Sequence, residues 1–242
     1  MAEIYHTFAS AVKTGKLVAL ATIIEGPGIG NKMLIWPNGE RIGQLGSPIL
    51  DQEVHARAIQ LLGAQRTERF GIHREDQFID IFIEVNAPPP KLIIIGAVHI
   101  AIPLVTFGKA LGFRTIVLDA RSAFATPDRF QHADELLIQW PADALPQMEI
   151  NENTFIVVLT HDEKIDNPAL AIALQSSARY IGALGSKKTH ARRVAALQEV
   201  GITEAQLARL HTPIGLEIGA RRPEEIAVAI IGEIVAVSNG ML

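Results

Sequence analysis

Apolar and polar positions write the two parts of the chain differently. Up to about residue 86 the apolar runs are short: LVALATII over 17–24, KMLIW over 32–36, a stretch around 41–45 and FIDIFIEV over 78–85. Their length and β-branched content predict strands, as does a shorter run at 68–70. Glu25–Gly30 is a Gly/Pro break, and Asn38-Gly39 is a hairpin signal. Residues 2–14 and 51–62 carry helical spacing instead, with Asp51 as the expected N-cap of the second. A small, mostly antiparallel α+β unit over residues 1–86 follows.

Ala87-Pro88-Pro89-Pro90 interrupts the pattern. Consecutive prolines cannot continue a ladder and make a stiff extended connector, so 87–90 reads as a linker. From residue 91 to 242 apolar runs alternate with helix-period segments. Strands are predicted near 91–95, 114–119, 135–139, 155–160 and 179–184, and helices near 99–111, 166–176, 187–200, 203–209 and 223–238. Such alternation predicts a Rossmann-like α/β domain with a parallel sheet. Thr203-x-x-Gln206 has capping-box form. Pro223 followed by Glu224 and Glu225 is a helix opening, with acids against the positive end of the dipole.

Composition narrows the function classes. The 242 residues carry a net charge of −4, which gives no support for a nucleic-acid or anionic-membrane partner. There is no cysteine, which excludes disulfides, thiolate metal sites and a cysteine persulfide on this chain. That suits a cytoplasmic protein. The N-terminal MAEIYHTFASAVKTGK is too polar for a signal peptide. The longest uncharged run, Leu92–Gly108, contains a glycine, a histidine and a proline and reads as a strand then a helix, not a membrane span. No G-x-S-x-G, P-loop or H-E-x-x-H is present, no metal site is expected, and the two tryptophans are too few for a base-stacking platform.

The candidate chemistry gathers where strands end. Gly96-Ala97-Val98-His99-Ile100-Ala101 joins a strand to a helix, as a phosphate-binding turn does, with Val98 and Ala101 at the second and third positions of a G-x-G-x-x-G pattern. Gly96, Val98, His99 and Ile100 are the candidate cofactor contacts; the alternative is a tight turn that binds nothing. Asp119, about 20 residues on, stands where an acid reads a ribose hydroxyl; Arg121 would pair with it or neutralise a phosphate. Thr160-His161-Asp162 follows the next central strand. A His161–Asp162 pair there could carry acid–base work, the alternative being a loop with Asp166 capping the following helix. Gly185-Ser186 leads into the basic Lys187–Arg193 helix and suits an anion, or is the start of a solvated basic face. His211-Thr212-Pro213-Ile214-Gly215-Leu216 is a shaped loop between helices, with His211 and Gly215 as its candidate contacts.

These pieces together resemble the xanthine dehydrogenase accessory factor family (XdhC/CoxI). The resemblance covers nearly the whole chain. It is strongest in LIIIGAVHIA, VVLTHDEKID, RYIGALGSKKTHARR and LARLHTPIGLEIGARRPEEIAVAIIGEIVAV. It implies a C-terminal Rossmann-like domain, a homodimer, and maturation of a molybdenum hydroxylase by binding molybdenum cofactor (molybdopterin), helping install its terminal sulfur and delivering it to the client enzyme. Two features depart from the family pattern. Where members carry Gly-Gly-Cys-x-Glu after Gly-Ser, Gly46-Ser47 here runs into Pro48-Ile49-Leu50-Asp51-Gln52-Glu53; and Val98 and Ala101 replace frequent glycines. Two rival readings are an NAD(P)-dependent oxidoreductase, for which Asp119 speaks, and a non-catalytic interaction protein with a vestigial Rossmann domain.

Overall fold

A computed structural model describes residues 2–74, 77–185 and 187–242. The chain forms two compact units that divide between Pro88 and Pro89, inside the proline run.

The first unit contains α1 (Ala2–Lys13), β1 (Val18–Glu25), β2 (Lys32–Ile35), β3 (Arg41–Gly43), α2 (Pro48–Ala64), β4 (Glu68–Arg74) and β5 (Gln77–Asn86). Its sheet is antiparallel, in the order β3-β2-β1-β5-β4. The unbroken apolar writing of β1 has a simple cause: both faces are covered. Val18 and Leu20 pack with Ile4 and Ala11 of α1, while Ala19, Ala21 and Ile23 pack with Leu50, Val54, Ala58 and Leu61 of α2. The β2–β3 hairpin closes through Trp36 N–H donating to the Glu40 carbonyl at 3.0 Å, with Gly39 at φ +85° as the Asn-Gly signal requires.

Helix α2 corrects one expectation. It begins three residues earlier than predicted, at Pro48, and Ser47 caps it: the Ser47 hydroxyl accepts from Leu50 N–H at 3.3 Å. Asp51 is instead buried in the first turn, where it accepts from Leu45 N–H at 2.7 Å. The shortened Pro48–Glu53 segment is therefore helix from its first residue.

The second unit contains β6 (Lys91–Ile95), α3 (Ala101–Ala110), β7 (Arg114–Leu118), α4 (Pro127–Phe130), β8 (Glu135–Leu137), α5 (Pro141–Ala144), β9 (Thr154–Val158), α6 (Glu163–Gln175), β10 (Tyr180–Ala183), α7 (Lys187–Glu199), α8 (Glu204–Leu207), β11 (Leu210–His211) and α9 (Pro223–Ser238). All six strands are parallel, in the order β11-β10-β9-β6-β7-β8. Numbered within the sheet this is 3-2-1-4-5-6 read from the β8 side, the doubly wound order. Leu92 and Ile94 face the layer that contains α3 and α9; Ile93 and Ile95 face the layer of α6. The winding reverses between β6 and β9, so the turns after these two strands lie side by side at the carboxyl edge.

Three local expectations change here. Helix α6 starts at Glu163 with Asp162, not Asp166, as its cap; the Asp162 carboxylate accepts from Lys164 N–H at 3.0 Å. The segment 210–211, read as loop, is a sixth strand paired with Ile181 and Gly182. The helix expected over 203–209 is only α8, though its Thr203–Gln206 capping box is formed. Among the described residues no helix is long and apolar enough to cross a membrane.

Candidate functional site

The switch point is built on one close contact. Gly96 follows β6 with φ +112° and its N–H donates to the Leu118 carbonyl at 2.9 Å. A Cβ on Gly96 would lie 2.8 Å from Thr160 Cγ2 and 3.1 Å from Thr160 N. The turn after β6 thus rests directly on the turn after β9. Both the backbone angle and the contact call for glycine there.

Asp119 holds this turn from the next strand. Its side chain is 0% exposed. Oδ2 accepts from Ala97 N–H and from Arg121 Nη2, both at 2.8 Å, and Oδ1 accepts from Arg121 N–H and Nε, both at 2.9 Å. A carboxylate has about four acceptor directions, and here all are filled by the chain itself. Burial pushes the Asp119 pKa up, but the Arg121 guanidinium and the two N–H groups outweigh it and hold it below the ordinary range. The acid expected to read a ribose is therefore enclosed and fixes the Gly96 turn. Arg121 is the partner that emerges: its side chain is 29% exposed, with the guanidinium 4.5 Å from the Phe124 ring centroid.

The turn after β9 is similarly tied. The Thr160 hydroxyl accepts from Asp162 N–H at 3.0 Å and donates to Asp166, which is buried in the first turn of α6. His161 stands exposed between them at φ +61°, a left-handed angle uncommon for a residue with a side chain. Asp162 caps α6, and among the described residues no hydrogen bond joins it to His161, the pair expected to carry acid–base work. The acid whose charge His161 favours is Asp166, although burial dominates there and pushes the Asp166 pKa up. Arg193 of α7 reaches the same place. Its Nη2 donates to Asp166 Oδ2 at 3.2 Å and to the Leu184 carbonyl at 3.0 Å. Nη1 lies 3.3 Å from where a Cβ on Gly185 would stand. Ser186 is outside the described residues.

His211 and Gly215 belong to a second cluster, centred on Glu233 of α9. The Glu233 carboxylate accepts from Gly215 N–H at 2.8 Å, from the Tyr180 hydroxyl, and meets His211 Nδ1 at 3.3 Å. The Tyr180 and His211 rings lie 4.6 Å apart. Burial raises the Glu233 pKa, but His211, Tyr180 and Gly215 together bring it below the ordinary range. Burial and the neighbouring carboxylate push the Tyr180 phenol up. Gly215 has φ +94°, and a Cβ there would lie 3.1 Å from the α9 backbone; its N–H is already committed to Glu233.

Of the remaining candidates, Val98 and Ile100 are half-buried and pack against the core layer of α3 and α9. His99 is exposed beside them. Sequence reasoning overlooked Glu233 and Tyr180. Glu233 had a signal, as the lone acid in the apolar run Ile226–Val237. Among the described residues no group of three or more His, Asp or Glu could hold a metal ion.

An open, doubly wound parallel sheet with a glycine turn at its switch point, preceded by an antiparallel α+β unit, defines the class. Residues 92–234 match the model of the XdhC Rossmann domain, and residues 11–71 that of the XdhC and CoxI family. The chain belongs to the XdhC/CoxI family. It is 27% identical over 237 residues to the uncharacterized protein YqeB of Escherichia coli, covering 91% of this chain and 43% of that protein. It is 32% identical over 160 residues to a probable xanthine dehydrogenase subunit of Bacillus subtilis, covering 66% of this chain and 46% of that protein. The chain therefore spans less than half the length of these two curated relatives. The molybdenum cofactor insertion chaperone PaoD of Escherichia coli is 21% identical over 273 residues, with 94% and 85% covered. A crystal structure of a xanthine dehydrogenase from Bacillus halodurans superposes with a TM-score of 0.59 at 23% identity, covering 99% of this chain and 96% of that one, a likeness of fold.

Proposed function

We propose that this chain is an accessory protein in the maturation of a molybdenum hydroxylase. Molybdenum cofactor would be its cargo, held at the carboxyl edge of the parallel sheet and passed to a client enzyme. Family membership and the chaperone name of one relative support the role. The observation that carries the location is the Gly96–Thr160 contact, which puts the turns after β6 and β9 against each other at the switch point.

The chemistry of the edge suits the organic part of such a cargo. Main-chain groups of the Gly96–Ile100 turn lie beside exposed imidazoles at His99 and His161, and Arg121 reaches the surface with a cation. Bound cofactor would supply the metal and its sulfur ligands; the chain, with no cysteine, supplies neither thiolate nor persulfide. Its residues bind and orient, and we assign them no bond-making step.

A dinucleotide is the second reading, favoured by the strand order. The enclosed Asp119 weighs against it, because no acceptor is left for a ribose. Calorimetric titration of the full chain with molybdenum cofactor tests the first reading, with light scattering reporting whether the species that binds is the homodimer. Saturable binding is expected. No binding, together with unchanged molybdoenzyme activity when the gene is deleted, would sink it. A fluorescence titration showing saturable NADH binding without cofactor binding would favour the second.

A further inference from the structure

Helix α9 carries its polarity inside out. Between Ile226 and Val237 the one charged residue is Glu233, and that acid is turned inward onto Tyr180, His211 and Gly215. Ala227, Ile230, Ile231 and Ile234 fill the core beneath. The outward stripe, at helical spacing, is Glu224, Val228, Gly232 and Val235, with Val228 46% and Val235 37% exposed. A surface helix shows water a polar face, and one that is apolar on every side is normally covered.

The loop before α9 widens this apolar face. Leu216, 40% exposed, lies over Gly232: a Cβ on Gly232 would stand 3.0 Å from Leu216 Cδ1, and Leu216 N–H donates to the Ala229 carbonyl at 3.1 Å. Single exposed apolar side chains are ordinary, but these three gather about one glycine with no charge among them. Charges of opposite sign stand at the two ends. Glu224 is exposed in the first turn; Arg222 is taken by Glu225, and Glu224 forms no salt bridge among the described residues. At the far end the exposed Arg179 donates from Nη2 to the Ser238 carbonyl at 2.9 Å and meets no carboxylate among the described residues.

We propose that the outward face of α9, with Leu216, is a two-fold interface between two copies of this chain, the two helices packed antiparallel. A stripe that is apolar in the middle, negative at one end and positive at the other is complementary to itself turned end for end. With the axis midway between Ile231 and Gly232, Val228 meets Val235 of the second copy. Glu224 then falls opposite Asn239 of the second copy, beside that copy's Arg179, and symmetry makes each pairing twice. The inference rests on the homodimer of the reading above and not on its cargo. Helix α9 has 16 residues and so runs for about 24 Å. One helix and one loop place the interface at the small end of specific ones, and the dimer should dissociate at about micromolar concentration.

The test uses the full chain in sedimentation velocity from about 0.5 to about 100 µM, with light scattering giving the mass. Wild type is expected to be dimeric at the upper end. Val228→Glu sets a charge against the apolar seam and should weaken the dimer about tenfold or more. Glu224→Arg and Arg179→Glu each bring like charges together at both symmetric ends, and each should weaken it about tenfold, more so at low salt. Glu224→Arg/Arg179→Glu restores the pairing with its signs exchanged and should recover the wild-type affinity to within about threefold. The double variant carries the local cost of both changes, so its recovery reports the contact and not the fold. A wild type that stays monomeric throughout would overturn the interface together with the homodimer, and would leave the face to a different partner. Dimerisation indifferent to Val228→Glu and to the single reversals, or a double variant as weak as the singles, would overturn this face and leave the homodimer standing. Titration of the same proteins with molybdenum cofactor is read separately: a dimer that needs this face, in a protein that never binds cofactor, keeps the interface and removes the cargo.

Discussion

Replacing Asp119 with asparagine tests whether this acid is a structural clamp. Four donors converge on its two oxygens: Ala97 N–H and Arg121 Nη2 on one, Arg121 N–H and Nε on the other. Asparagine keeps one acceptor oxygen and turns its NH2 toward two of those donors, so one end of the network is lost. Leaving buried donors unmet costs about 1–3 kcal/mol. Removing the charge from a buried ion pair costs about 3–5 kcal/mol where both partners are enclosed. Arg121 is 29% exposed and can turn to water, which places the expected loss between these, at about 2–4 kcal/mol at pH 7. The loss should also depend on pH in a defined sense. The folded pKa of Asp119 lies below its ordinary value of 3.8. Its carboxylate therefore contributes stability that is fully present above that value and is lost as pH falls through the folded pKa. Urea unfolding of both proteins from pH 7 to pH 3, at unchanged m, should show their difference narrowing toward the acid end. A loss under about 0.5 kcal/mol at pH 7, or a difference that does not change with pH, would refute the clamp.

Gly96→Ala should cost about 2–5 kcal/mol, from the positive φ and from displacing the Thr160 backbone, read as a lower urea midpoint with unchanged m. Ser47→Ala should cost about 1 kcal/mol through the lost cap of α2, and Ser47→Asn should recover most of it in the same unfolding assay. Glu233→Gln should cost about 1–3 kcal/mol at pH 7 and alter the ultraviolet difference spectrum of Tyr180, whose hydroxyl it accepts. Because the Glu233 pKa is depressed, its contribution should be present above the ordinary glutamate range and shrink as pH falls through the folded value; an equal loss at pH 7 and pH 3 would count against the assignment.

What could be read in the sequence was carried by local chemistry. Pro223 with its two acids opens α9 where expected, Thr203 and Gln206 form their box, and Asn38-Gly39 closes its hairpin, because each signal sets backbone conformation within a few residues. The parallel sheet was legible for the same reason, one strand and one helix at a time. What escaped depended on tertiary partners. Asp51 and Asp166 look like caps by position, yet each lies one turn inside a helix capped by an earlier residue, and each is buried on groups remote from its own turn. Strand β11 has two residues, too few to show any period. Asp119 carried the right residue type at the right distance for a ribose, but residue type and distance do not measure enclosure; Arg121, two residues on, decides it.

The ends of the two sheets differ in what they offer to another chain. The parallel sheet finishes in β8, of three residues, on one side and in β11, of two, on the other. So little ladder cannot template an added strand, which guards the sheet against edge-to-edge aggregation. In the antiparallel sheet β3 is equally brief, but β4 runs for seven residues. Among the described edge strands, β4 alone has the length for strand addition, so a partner that meets the parallel sheet must recognise it through helices and loops.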